Sequence, residues 1–221
     1  MGQLDGKTLY VQYGCGLCAP EDWKNFDSSP RLRFERLPAV GTLAGIAGRQ
    51  LFPTNIAFGD ITAGLPVDDN SADAVYCSHV LEHLGRDDVP KALATTLRIL
   101  KPGGIFRMIV PDLEWRVRRY LAHRAAGHAT AADDFIAALN VGDRQRARGP
   151  MALLRAAFGN SGHMWMYDEP TMRRLLGEAG FVEIRRCDIA DNPDPMFAKV
   201  EDRGRFYDSG EPELAFEAKK P

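Results

Sequence analysis

The chain is poor in cysteine: Cys15, Cys18, Cys77 and Cys187 are the only four in 221 residues. That is too few for a disulfide scaffold of this length. Cys77 and Cys187 fall in apolar, strand-like patterns and read as small buried hydrophobes. They give Cys15 and Cys18 no second ligand pair, which argues against structural zinc, and no metal is expected. No apolar run approaches the roughly 18 residues of a spanning helix, so no membrane insertion is expected. Neither sign of charge dominates, the formal net charge being −2. Without a basic excess or a basic amphipathic stretch, nucleic acid and membrane surfaces are excluded as expected partners. The opening residues, MGQLDGKTLYVQYGCG, lack a signal-peptide layout, and Gly6 stands where a myristoylation signal wants Ser or Thr. A reducing, cytoplasmic setting is the expectation. There is no internal repeat and no low-complexity tract.

What is present is an ordinary globular composition, 45% hydrophobic and 26% charged, in a length that suits one buried core. A single domain over 1–221 follows. Its most informative stretch is 68–111, DDNSADAVYCSHVLEHLGRDDVPKALATTLRILKPGGIFRMIVP. An apolar run at 74–77 ends in a polar cluster, Ser78, His79, Glu82 and His83. Val89, Leu93, Leu97 and Leu100 then recur at helical spacing, and Lys101-Pro102-Gly103-Gly104 stops the helix. A second apolar run fills 105–110. Strand, helix, stop, strand is a βαβ unit and implies a parallel sheet. In such sheets ligands sit outside the carboxyl ends of the strands, where Ser78 and His79 fall.

The rest of the chain extends this alternation. Residues 7–12 read as a first strand ending in Tyr13-Gly14-Cys15-Gly16, and 23–26 as a second, closing on Asp27. Only about ten residues separate Gly16 from Asp27, fewer than a parallel crossover normally needs, so the first helix must be very short or irregular. A helical segment over 30–51 is weakened by Gly41, Gly45 and Gly48. Residues 55–58 read as a third strand ending at Gly59-Asp60. The alternation breaks at 112–162, where three helices, near 113–121, 135–139 and 151–158, form an insertion or lid. Residues 171–180 read as a helix with a glycine cap, 181–187 as a cleanly alternating sixth strand, 188–211 as a long loop and 213–219 as a final strand.

The Leu65-Pro66 and Asp68 to Asp73 approach, the Val80-Leu81-Glu82-His83 segment and the Leu100-Lys101-Pro102-Gly103-Gly104 turn together resemble a class I S-adenosylmethionine-dependent methyltransferase. The resemblance covers nearly the whole chain. It implies an α/β fold, a Rossmann-like doubly wound seven-stranded sheet, mostly parallel, with an antiparallel last strand and a helical insertion after strand five. It implies S-adenosylmethionine as cofactor. Gly14, Cys15 and Gly16 would then cradle its amino-acid half. Asp27 would accept the ribose hydroxyls, Asp60 and Ile61 would meet the adenine, and Ser78 and His79 would stand beside it. Trp23-Lys24-Asn25-Phe26-Asp27 and His163-Met164-Trp165-Met166-Tyr167-Asp168 are similar to segments of small type-11-like methyltransferases often associated with glycan biosynthesis.

Each of these residues also has a plain reading: a strand-end turn for Gly14 to Gly16, a cap for Asp27, Asp112 or Asp168, a structural imidazole for His83. Cys15-Gly16-Leu17-Cys18 has the spacing of a redox motif, but such a site needs a long helix directly after it, and Pro20, Trp23 and Asp27 leave no room. A hydroxyl acceptor would need a base, and histidine suits the role. His163 is the first candidate and His83 the second, with Asp112 orienting the imidazole or the acceptor. The expected partner is a small-molecule or saccharide acceptor, methylated on a hydroxyl or an amine, and the reading allows a homodimer. A fold that binds without turnover, or a CxxC oxidoreductase, are the alternatives.

Overall fold

A computed structural model describes residues 8–37, 51–142 and 162–221. Its sheet is built from β1 (Tyr10–Tyr13), β2 (Trp23–Asp27), β3 (Ile56–Phe58), β4 (Ala72–Ser78), β5 (Leu100–Val110), β6 (Val182–Arg186) and β9 (Leu214–Lys219). Their order is β3-β2-β1-β4-β5-β9-β6. The first five strands pair in parallel, and β9 lies antiparallel to both β5 and β6. The expected fold class is the one observed. Among the described residues no helix is long and apolar enough to cross a membrane.

Strand alternation sends Val11, Tyr13, Phe26, Val75, Cys77 and Phe106 to one face of the sheet. There they meet α2 (Val89–Ile99) and α5 (Glu169–Glu178), which bury Val89, Leu93 and Ile99, and Met172, Leu175 and Leu176. The other face carries Trp23, Ala74, Tyr76, Ile109 and Ala215, and no long helix covers it among the described residues. The segment 188–213 does so instead. The sequence reads 188–211 as a loop, but the segment contains a short 3-10 turn (Phe197–Lys199), α6 (Arg203–Phe206) and a small hairpin of β7 (Tyr207–Asp208) and β8 (Glu211–Pro212). Phe197, Val200 and Phe206 bury themselves against Trp23 and Tyr76. Its Asp, Pro and Gly content hid this, because the apolar residues follow neither strand nor helix period.

Arg107 of β5 holds that segment down. Its side chain is 1% exposed and donates to Glu201 Oε1 (2.7 Å), Asp191 Oδ1 (2.8 Å), Glu217 Oε2 (2.6 Å) and the Asp188 carbonyl (2.9 Å). Burial pushes the Glu201 carboxyl up despite Arg107 beside it. Asp191, although partly buried, is held at about 2 by Arg185 and Arg107.

The first crossover, 14–22, contains no helix, as its length requires. Side-chain amides replace helical hydrogen bonds: buried Gln12 donates through Nε2 to the Cys18 carbonyl (2.8 Å) and to Asn25 Oδ1 (2.5 Å), and Asn25 Nδ2 donates to the Pro20 carbonyl (3.0 Å). The expected helix over 30–51 is only α1 (Pro30–Glu35), started by Pro30 and by Ser29, whose side chain caps it; most of the remainder lies outside the described residues. The Lys101-Pro102-Gly103-Gly104 turn is part of β5, because α2 already ends at Ile99. The alternation of β6 is broken by a register shift next to Glu183, at φ 51°. The insertion supplies α3 (Leu113–Ala125) and α4 (Ala131–Leu139), in contact through Tyr120 and Phe135 (ring centroids 5.1 Å apart). Its third expected helix, near 151–158, lies outside the described residues. Buried Arg116 anchors α3 with two 3.0 Å hydrogen bonds to the Glu213 carboxylate.

Candidate functional site

The carboxyl ends of β1, β2 and β4 bring the expected cofactor residues to one edge. Gly14 and Gly16 both adopt positive φ, 63° and 57°, which glycine tolerates without strain. Their surroundings differ. A Cβ on Gly14 would lie 2.1 Å from Val80 Cγ2, whereas one on Gly16 would meet nothing within 4 Å. Gly14 is thus required by packing against the segment after β4, and Gly16 is the open face of the turn. Asp27, 6% exposed, ties this turn to β2: its Oδ2 accepts from Gly16 N (3.0 Å) and its Oδ1 from Ser29 N (2.8 Å). A carboxylate oxygen has room for a further donor beyond one N–H, so this capping leaves Asp27 able to accept hydroxyls.

Two of the expected residues can contribute only main-chain groups. The Cys15 side chain is buried with Leu32, Phe52 and Ile56, and Ile61 belongs to the main core. Burial, with the charge of Asp27, pushes the Cys15 thiol up to about 12. A redox cysteine needs the opposite shift. Asp60 Oδ1 accepts from the amide and hydroxyl of Thr62 (2.9 and 2.7 Å) and forms a tight turn. Ser78 is buried, and its Oγ has no hydrogen-bond partner among the described residues. His79, at φ 55°, turns its Nε2 to the Arg205 carbonyl (3.0 Å) and its Nδ1 to within 3.2 Å of Glu82 Oε1. Burial opposes charge on this ring, yet Glu82 beside it outweighs that, and its pKa is raised.

The expected catalytic residues divide. Asp112 is buried and caps α3, its Oδ1 accepting from Trp115 N (3.2 Å) and its Oδ2 lying 3.6 Å from Arg186. It does not orient His163, whose Nδ1 faces the Leu139 carbonyl at 2.8 Å. His83 and His163 do come together, edge to face, with ring centroids 5.1 Å apart. His83 Nδ1 faces the Gly162 carbonyl at 3.1 Å. Main-chain bonds from Met164 N (2.7 Å) and Trp165 N (3.1 Å) to the Glu82 carbonyl clamp the two segments. A carbonyl can only accept, so each imidazole carries a hydrogen on Nδ1, and in the neutral ring the lone pair is then on Nε2. Burial lowers the His163 pKa, which favours that neutral form.

Glu82 is the residue that sequence reasoning passed over. It is fully buried, and neither carboxylate oxygen has an aligned hydrogen-bond donor among the described residues. Tyr167, also buried, has an unpartnered hydroxyl, and burial together with the Glu82 charge pushes it up to about 12. A buried carboxylate in the short 3-10 turn Leu81–His83 has no periodic signal to announce it. Its only mark in the sequence was an acidic residue inside an otherwise apolar Val-Leu-x-His stretch.

Residues 41–108 match a family model described as a methyltransferase domain. A segment of 56 residues is 46% identical to a probable methyltransferase of Aspergillus luteorubrus, covering 24% of this chain and 20% of that protein. Among solved structures, a SAM-dependent methyltransferase from Archaeoglobus fulgidus aligns at 16% identity over 96% of this chain and 86% of its own, with a TM-score of 0.49. One from Methanosarcina mazei aligns at 15% identity over 98% and 94%, also at 0.49. The family match covers residues 41–108, and the sheet order β3-β2-β1-β4-β5-β9-β6, with β9 antiparallel to both of its neighbours, is that of a Rossmann-like methyltransferase fold: the chain is similar to S-adenosylmethionine-dependent methyltransferases.

Proposed function

We propose that this chain transfers a methyl group from S-adenosylmethionine to a hydroxyl of a small molecule or saccharide. The observation that carries the reading is the tie between the open glycine turn and β2, Gly16 N to Asp27 Oδ2, at the carboxyl edge of the sheet. The residues fit the cofactor: Gly16 leaves open space, Asp27 can accept a cis-diol, and Ser78 offers a buried hydroxyl with no hydrogen-bond partner among the described residues. When bound, the cofactor would supply a methyl already made electrophilic by its sulfonium.

The work left to the protein is alignment and proton handling. Holding nucleophile and methyl in line removes much of the barrier. Gly14 to Gly16 and Asp27 would bind, and His79, pinned at both ring nitrogens, would wall the site. His163 keeps a lone pair at Nε2 and a lowered pKa, so it can take up a proton from an acceptor hydroxyl. An amine acceptor arriving neutral needs no base and is the second reading. The saccharide preference rests on the resemblance of the 163–168 segment.

Calorimetry with S-adenosylmethionine and its demethylated product tests the cofactor. A screen with labelled cofactor over nucleotide sugars, lipid-linked glycans and small phenols tests the reaction. Binding of both nucleosides with label in no acceptor would favour a fold that has lost turnover. Binding of neither would overturn the reading.

A further inference from the structure

We propose that Glu82, His83 and His163 form a binding site for one divalent transition-metal ion. One ligand-capable atom from each residue lies within 4.8 Å of the other two. Two imidazoles and a carboxylate are a donor set for Zn²⁺, Co²⁺, Mn²⁺ or Fe²⁺, not for Ca²⁺ or Mg²⁺, which favour all-oxygen shells. Ligand bonds of about 2.0–2.2 Å would draw the three groups in by small side-chain adjustments.

Three independent features point to a cation. The first is Glu82 itself. A fully buried carboxylate without an aligned donor is costly, and such groups pair with a cation or coordinate a metal. His79 lies 3.2 Å from Oε1 but also serves the Arg205 carbonyl, and it leaves Oε2 without a donor among the described residues. The second is the orientation of the rings. Both histidines direct Nδ1 to a main-chain carbonyl, Gly162 for His83 and Leu139 for His163, which fixes the tautomer and leaves Nε2 as the nitrogen able to ligate. Metal-bound histidines are held in this way by their outer partners. The third is rigidity: the Met164 and Trp165 amides on the Glu82 carbonyl fix the two ligand-bearing segments against each other without using a ligand atom.

The ion site does not depend on the methyl-transfer reading, but its role in catalysis does. An imidazole that ligates an ion cannot also take the acceptor's proton. On that reading the ion would take over from His163 the task of acidifying the hydroxyl. The hydroxyl loses its proton to water. Its oxygen forms the bond to the methyl carbon as the carbon–sulfur bond breaks, and that electron pair stays on sulfur as a neutral thioether.

The test is a titration of the chelator-treated chain with Co²⁺ alone, followed by its visible absorption and by calorimetry, with Zn²⁺ as competitor. One equivalent should bind, without the sulfur charge-transfer bands that Cys15 or Cys18 would give. Outer-shell changes alone weaken metal sites about 10–100-fold, so loss of a direct ligand in Glu82→Gln or His163→Ala should weaken Co²⁺ binding at least about a hundredfold. Co²⁺ should raise the melting temperature of the wild type and not of Glu82→Gln. Metal-free Glu82→Gln keeps the buried volume but gives up the charge facing His79 at 3.2 Å, so it should still melt cooperatively, if lower than the metal-free wild type, and a cooperative melt separates ligand loss from misfolding. Absence of stoichiometric binding would overturn the proposal. So would binding that survives both variants, or binding lost instead on His123→Ala, which breaks the stacked His123–His128 pair on the insertion.

Discussion

Asp27→Ala tests the cofactor edge most directly, because Asp27 makes contacts whose loss can be counted. In the free chain it accepts two main-chain hydrogen bonds, from Gly16 at 3.0 Å and Ser29 at 2.8 Å, while 6% exposed. Hydrogen bonds to a charged group contribute about 1.5–3 kcal/mol each, and a buried donor left without a partner costs about 1–3 kcal/mol. Water can reach this edge and recover part of that. The net stability loss should therefore fall near 1–3 kcal/mol, read as a shift of the urea midpoint at constant slope. The affinity loss is a separate quantity. Removing the acceptor for the ribose should weaken S-adenosylmethionine by about 1.5–3 kcal/mol, roughly 10- to 150-fold. Asp27→Asn keeps the volume but turns an NH₂ toward one of the two N–H donors, so it should behave no better. Calorimetry on variants shown to be folded reads the affinity. Lost stability with affinity within twofold of wild type would refute the reasoning and leave Asp27 as a cap for the Gly16 turn and nothing more.

The glycines should separate. Gly14→Ala places its Cβ on Val80 and should destabilise the fold, whereas Gly16→Ala costs only the strain of positive φ in the free chain and should act on cofactor affinity; equal melting curves for the two would contradict this. Arg107→Ala leaves Glu201 without its cation and Glu217 and Asp191 with Arg185 alone, and should cost about 3–5 kcal/mol in urea unfolding, a loss under 1 kcal/mol showing that Arg107 does not hold 188–213 down. Asp191, held at about 2, contributes stability that is present above its unfolded pKa near 4 and lost as pH falls toward 2; Arg107→Ala should blunt that acid limb in a pH series of melts. His163→Ala should lower turnover by about a hundredfold or more with cofactor affinity within twofold, and the wild-type rate should rise with pH through the lowered histidine pKa, below about 6.5, whether the ring serves as base or as ligand. A normal rate in that variant, with its pH limb intact, would remove His163 from the reaction.

The sequence by itself determined the sheet and its direction. The apolar runs of β4 and β5, the helical spacing of α2 between them and the glycines after β1 are local signals, and each is read from neighbours a few residues apart. With the resemblance they sufficed for a mostly parallel seven-stranded sheet with an antiparallel last strand, and for the place of Asp27, because Trp23 to Asp27 already showed where β2 stops; the strand order came from the tertiary structure. Only the tertiary structure decided what covers the second face of that sheet. Phe197, Val200 and Phe206 have no period to betray their burial, and Arg107 in β5 finds its partners 81–110 residues further on. The same holds for the candidate catalytic groups. His83 and His163 are 80 residues apart and meet because main-chain bonds to the Glu82 carbonyl draw 162–165 onto the turn after β4. That Glu82 is buried with no aligned donor for its carboxylate among the described residues is a property of what surrounds it in space, and no pattern along the chain encodes it.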